Sequence, residues 1–183
     1  MTSIKRDPLL AVAKGILWFL MGIMALSAAA CLLAAPAVFF MRDHIAAELL
    51  KDAPDLPLMQ FIGLVMTACL LGAVLLALLF RVFQLLKQIV DTVGQGDPFV
   101  PDNARRLTRM AWLTLAVQFA SLPIGGIALW IHNVAEGTEA GPFGGHTGTE
   151  FDGNGVLLVL ILFILARVFR KGAEMRAELE GTV

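Results

Sequence analysis

The feature that most limits what this chain can become is a set of long stretches without a single charged side chain. Lys14 and Arg42 bound the first, Gly15 to Met41; Asp55 and Arg81 bound the second, Leu56 to Phe80; Arg109 and Glu136 bound the third, Met110 to Ala135. A bilayer's hydrocarbon core is about 30 Å thick and takes roughly 20 apolar residues of helix, so each run can cross it. A fourth run, Gly153 to Ala166, has only 14 uncharged residues. Val168 and Phe169 carry its apolar character past Arg167, whose long stem can snorkel to the interface, so it too reads as a span. The 58% hydrophobic and 16% charged composition agrees, and it excludes disordered and disulfide-scaffold classes. A net charge of −1 leaves no basic excess to neutralise phosphates, so direct nucleic-acid binding is not expected.

Orientation follows from the 14 basic residues. Lys5, Arg6 and Lys14 precede the first span; Arg81, Lys87, Arg105, Arg106 and Arg109 lie between the second and third; Arg167, Arg170, Lys171 and Arg176 lie at or beyond the end of the fourth. Only Arg42 and Lys51 fall on the other side. The positive-inside rule then places both termini in the cytoplasm. Trp18 and Trp112 near inner span ends, and Trp130 near an outer one, fit an aromatic belt. The first run far exceeds the roughly 7 to 15 residues of a signal-peptide core, so a retained helix is expected. The expected fold is therefore all-α: a polytopic membrane protein, a single integral domain over 1–183, with a four-transmembrane-helix bundle. Its spans cover about 15–40, 58–80, 110–132 and 154–171; the outer loops are 42–57 and 133–153, the cytoplasmic loop 81–109 and the cytoplasmic tail 172–183.

Small and polar residues at helical spacing mark where such helices pack. Ser27, Ala30, Cys31 and Ala34 share a face of the first span, and Cys69, Ala73 and Ala77 recur in the second. Thr114, Gln118, Ser121 and Gly125 line one side of the third, where Pro123 and the Gly125-Gly126 pair predict a kink. That polar stripe can pack or can line a substrate path. Packing is favoured, because no Asp, Glu, Lys or Arg interrupts the first three spans and the one His, His132, stands at the outer end of the third, where the loop begins.

No catalytic constellation is present, and an enzyme is not expected. Cys31 and Cys69 lie deep in spans with no C-x-x-C, unlike the surface pairs a thiol oxidoreductase needs. His44, His132 and His146 fall in the outer loops without ligand-spaced partners, so no metal or other cofactor is expected. H-E-x-x-H, G-x-S-x-G and G-x-x-x-x-G-K are all absent from the sequence. The outer loop from Glu136 to Gly155, rich in glycine and acidic residues, reads as a spacer. Asp152 at the outer start of the fourth span reads as a helix cap, with a sensor or ion role as the alternative.

The segments on the basic side are more distinctive. Val82, Leu85, Leu86, Ile89, Val90 and Val93 recur at helical spacing opposite Arg81, Lys87 and Asp91, so the second span should continue as an amphipathic cytoplasmic extension until Gly94 and Gly96 stop it. Pro98 and Pro101 then enforce extended backbone, and Asp102 or Asn103 can cap a new helix. These residues resemble the bacterial four-span membrane proteins of domain-of-unknown-function family 2975, over most of the chain. A G-D/N-P-F turn followed by N-x-x-R-L is matched by Gly96, Asp97, Pro98, Phe99, Asn103, Arg106 and Leu107. A Phe-Asp pair is matched by Phe151 and Asp152, and a terminal G-x-x-L/M-R-x-E by Gly172, Met175, Arg176 and Glu178, ending in Thr182 and Val183. Gly181 departs from the bulkier apolar residue many relatives carry there.

The resemblance implies no established activity. It implies a chain encoded beside a small Cro/C1-type helix-turn-helix regulator, and so a membrane protein that holds or controls that regulator. The expected partners are the lipid bilayer, that soluble regulator on the cytoplasmic side and no nucleic acid directly, with a homo-oligomer allowed. The expected partner-binding residues are Asp97, Pro98, Phe99, Asn103, Arg106, Leu107, Glu178, Glu180, Thr182 and Val183. Phe99, an apolar ring in a polar loop, would anchor in a partner's pocket, and the acidic tail would meet a regulator's basic DNA-facing surface. The alternative leaves Phe99 tucked against the chain's own helices. A structural or assembly subunit of a membrane complex, or a small transporter-like protein, are the competing functional readings.

The orientation is open to direct measurement. In a background lacking Cys31 and Cys69, a cysteine at position 140 should react in intact cells with a membrane-impermeant thiol reagent, and one at position 94 should not. The reverse pattern would invert the topology.

Overall fold

A computed structural model of the chain describes residues 8–52, 57–136 and 153–180, with the side chains of 48–52, 134–136 and 180 left aside. Five helices occupy them: α1 (Pro8–Phe40), α2 (Arg42–Asp52), α3 (Leu58–Gly94), α4 (Pro101–Glu136) and α5 (Gly153–Glu180). No strand occurs among the described residues. Helix is what a chain this apolar must form in lipid, where backbone N–H and C=O groups have no water to bond and must satisfy one another within the segment.

Three of these helices, α1, α3 and α4, are long and apolar enough to cross a membrane. In their most apolar stretches only 11%, 6% and 11% of residues are buried within the protein, so most of their apolar side chains face outward. Leu9, Leu26, Leu33, Phe40 and Met59 are all exposed. A surface of that kind is stable only against hydrocarbon.

Pro8 opens α1 and Pro101 opens α4, positions where the missing proline N–H costs nothing because the first turn has no intrahelical acceptor for it. Pro36 and Pro123 lie inside their helices, which continue through them. The segment expected to be the first outer loop is helical from Arg42 to Asp52. Its sequence, R-D-H-I-A-A-E-L-L-K-D, is made largely of good helix formers, with Asp43 in the first turn facing the positive end of the dipole. The outer loop beyond Glu136, including His146, Phe151 and Asp152, lies outside the described residues, as do Gly181, Thr182 and Val183.

The chain separates into two compact units. One comprises 1–24, 78–117 and 152–183. Its core is built from Ile89 of α3, Leu107, Met110 and Ala111 of α4, and Val159, Leu162 and Ala166 of α5. Val82, Leu85 and Leu86 pack against it, so the apolar face of the α3 extension is buried as its periodicity requires. The opposite face meets α1. Lys14 Nζ lies 2.7 Å from Asp91 Oδ1, and Lys87 Nζ sits 4.5 Å from the centre of the Trp18 ring. Both contacts are partly exposed, so each contributes about 1 kcal/mol or less and serves mainly to set how α1 lies along α3.

The other unit comprises 25–77 and 118–151. There α1 and α3 approach at part of the expected small-residue stripes: a methyl added at Gly72 would lie 3.8 Å from Cys31 Sγ, and Ala73 is buried, as is Ala35 beside the stripe, whereas Ala30 and Ala77 of the same stripes are exposed. Both cysteines are unpaired thiols.

Candidate functional site at the α3–α4 turn

The end of α3 is set by backbone chemistry. Gly96 has φ +88°, a left-handed conformation that costs a residue with a Cβ about 1 kcal/mol or more. From there Gly96 N donates to the Val93 carbonyl at 3.0 Å and Asp97 N to the Thr92 carbonyl at 3.2 Å. That pair of bonds is a Schellman closure, which satisfies carbonyls the helix would otherwise leave open.

The next helix is held against this turn by one amide. Asn103 is fully buried, with 0% of its surface exposed. Its Nδ2 donates to Thr92 Oγ1 at 2.7 Å and to the Pro98 carbonyl at 2.9 Å, while its Oδ1 accepts from Arg106 Nη1 at 2.8 Å. Thr92 Oγ1 in turn donates to the Ile89 carbonyl at 2.7 Å. Both amide hydrogens and the amide oxygen are therefore used, which a buried asparagine requires. Neither Asp102 nor Asn103 caps α4, contrary to the sequence expectation. The helix already begins at Pro101, Asp102 Oδ1 accepts instead from Arg105 at 3.3 Å, and Asn103 N donates to the Val100 carbonyl at 3.0 Å.

The third component comes from α5. The Phe99 ring packs on Phe169, centroids 5.4 Å apart, and lies across Gly172. A methyl at Gly172 would come within 2.6 Å of Phe99 Cδ1, so only glycine leaves room for the ring. Asp97, whose Oδ1 is shielded from solvent, pairs with the Arg176 guanidinium. Magnitudes rank these contacts. The side chains of the ion pair are 48% and 34% exposed, although the Asp97 oxygen itself is shielded, and the pair contributes about 1 kcal/mol or less. The aromatic pair contributes roughly 0.5 to 1.5 kcal/mol beyond the area it buries, and the buried amide's bonds about 1 kcal/mol each. Packing and the amide dominate.

The structure thus gathers most of the expected binding residues into a contact of the chain with itself. Asp97, Pro98, Phe99, Asn103 and Arg106 line the turn, and Leu107 beneath them is part of the core. Phe99 stays 41% exposed, one face on α5 and the other outward. Glu178 lies on the exposed last turns of α5, whose final residue is Glu180. Thr92 and Phe169 complete the junction; the sequence reading took Phe169 only as an apolar continuation of the fourth span and did not single out Thr92. The available signal for Thr92 was a lone hydroxyl in the last turn of an otherwise apolar face. Among the described residues no cluster of His, Cys, Asp or Glu could hold a metal ion.

The family model described as "Protein of unknown function (DUF2975)" matches residues 46–183. The chain belongs to this family. No curated protein and no solved structure matches it.

Two substitutions measure the junction. Asn103→Ala should lower unfolding stability by roughly 2 to 4 kcal/mol, since it removes three hydrogen bonds and strands buried partners; a loss under 0.5 kcal/mol in detergent-solubilised protein would refute the amide's role. Gly172→Ala should cost about 1 to 3 kcal/mol through overpacking, and most of that cost should vanish when Phe99 is already alanine. Simple additivity of the two would mean that ring and glycine do not touch.

Proposed function

We propose that this chain is a four-span protein of the bacterial inner membrane, with both termini cytoplasmic, that acts without catalysis by binding a soluble cytoplasmic partner. The fourth span is α5, whose Leu157, Leu158, Leu160, Ile161, Ile164 and Leu165 are exposed apolar side chains. They require lipid around them as the other spans do. The distribution of basic residues supports the orientation.

The observation that carries the partner reading is the anchoring of α5 to the α3–α4 turn by Phe99 on Gly172 and Asp97 on Arg176. Beyond that anchor the helix continues to Glu180 and exposes Met175 and, at 72%, Leu179, one turn apart on a single face beside Glu174 and Glu178. An apolar pair at this spacing flanked by carboxylates suits helix-in-groove recognition by a protein with a basic rim. The family resemblance points to a small helix-turn-helix regulator as that protein. The turn then acts as the mount, and the tail of α5 as the contact surface.

One observation favours a second reading, a small transporter-like protein. In α4 both polar atoms of the Gln118 side chain are buried and without a hydrogen-bond partner among the described residues. A polar occupant passing along the helix would complete them.

The first reading is tested by co-purifying the full chain with the product of a neighbouring regulator gene. Met175→Glu with Leu179→Glu should weaken capture by about tenfold or more, the effect of losing an apolar anchor pair. Undiminished capture by a folded variant would remove this surface, and no capture by the unaltered chain would remove the partner.

A further inference from the structure

A groove of about 530 Å³ lies on the flank of the α3–α4 pair, lined by Arg81, Gln84, Leu85, Gln88, Arg109, Trp112 and Leu113. Its polar lining is two guanidinium groups and two amides, and no acidic side chain contributes to it. Arg81 Nη1 donates to Gln84 Oε1 at 3.0 Å, and neither arginine has an acidic partner among the described residues. In the same unit Lys14, Arg105, Lys171 and Arg176 each have a carboxylate partner, whereas Arg81 and Arg109, like Lys87, Arg106, Arg167 and Arg170, have none among the described residues. The groove therefore carries positive charge that no acidic side chain among the described residues neutralises.

Its level along the helices identifies the ligand. Arg81 directly follows the uncharged run of α3, and Arg109 directly precedes that of α4, so both guanidinium groups stand where the spans reach the headgroup zone. Trp112, 61% exposed and held edge-on to Phe163 at 5.6 Å, and Leu113 extend the lining one turn into the apolar stretch. A guanidinium binds phosphate oxygens in a bidentate fork. Apolar walls directly above such a fork suit a ligand whose phosphate is joined to hydrocarbon.

We infer that the groove between Arg81 and Arg109 is a binding site for the phosphate of an anionic phospholipid, with the amides of Gln84 and Gln88 meeting the headgroup hydroxyls and Trp112 and Leu113 the start of the acyl chains. Basic pockets between membrane helices at the headgroup level recognise such lipids. The inference depends on α3 and α4 crossing the bilayer and is independent of any soluble partner.

The test uses the full chain in nanodiscs of mixed phosphatidylglycerol and phosphatidylcholine, with retained lipid counted by native mass spectrometry after extraction. The unaltered protein should retain phosphatidylglycerol in preference. Arg81→Gln with Arg109→Gln should weaken that retention about 25-fold, taking about fivefold for each basic residue facing an anionic surface. Arg105→Gln with Arg170→Gln removes the same charge outside the groove and should leave retention unchanged. Equal loss in both double variants would reduce the effect to net charge and overturn the site. Displacement of the lipid by millimolar inorganic phosphate would assign the groove to a free anion and overturn the lipid. Should the groove variant fail to fold, the unaltered protein decides: equal retention of the two lipids would overturn the inference.

Discussion

One buried amide sets the geometry on which the rest of the unit around the α3–α4 turn depends. An asparagine shut away from water must use its two donors and its acceptor, because each unmet group costs about 1 to 3 kcal/mol. Asn103 meets all three demands only if Thr92, the Pro98 carbonyl and Arg106 are brought to it together. Those partners belong to the end of α3, the turn and the start of α4, so the side chain admits one path for the chain between the two helices. Gly96 makes that path available by taking the left-handed conformation that closes α3. Phe99 is then presented on the side where α5 passes, and Gly172 is where α5 can receive it.

The division of labour between lipid and protein explains why polar specificity gathers here. Within the bilayer, apolar packing distinguishes poorly between neighbours, since hydrocarbon is as good a partner as leucine. Small residues such as Gly72 and Ala73 allow close approach, but they impose little direction. At the edge of the spans, hydrogen bonds and ion pairs become directional and water is at hand for groups left over. Lys14 with Asp91, Lys87 on Trp18 and Arg176 with Asp97 all lie in the unit that holds the turn. This placement lets a sparse set of polar contacts fix the helices' relative rotation without a charged group being drawn into the hydrocarbon.

What could be read in advance follows the same line. The helices long and apolar enough to cross a membrane, α1, α3 and α4, were legible because uncharged runs of such length have few other fates, and the α3 extension because Val82, Leu85, Leu86 and Ile89 keep a 3.6-residue period. The stop at Gly96 was legible from glycine's access to positive φ. The role of Phe99 was not settled: an aromatic ring in a polar loop looks alike whether it awaits a partner or is already seated, and the glycine that seats it is carried by another helix. Asn103 was misjudged as a cap for a related reason. Asparagine beside a helix start normally serves its own backbone, and only the approach of Thr92 from the preceding helix redirects it. Arg42–Asp52 was read as loop from its position between two spans, although its local preferences are helical.

The central claim is that turn and tail form one cooperative junction. Hydrogen–deuterium exchange of the full chain in nanodiscs, compared with its Asn103→Ala variant, tests it most directly. If the junction is one unit, exchange should accelerate together at 94–101 and at 172–180, although the hydrogen bonds of the Asn103 side chain run to Thr92, Pro98 and Arg106 and not to α5. Faster exchange confined to 94–101, with α5 protected as before, would contradict it.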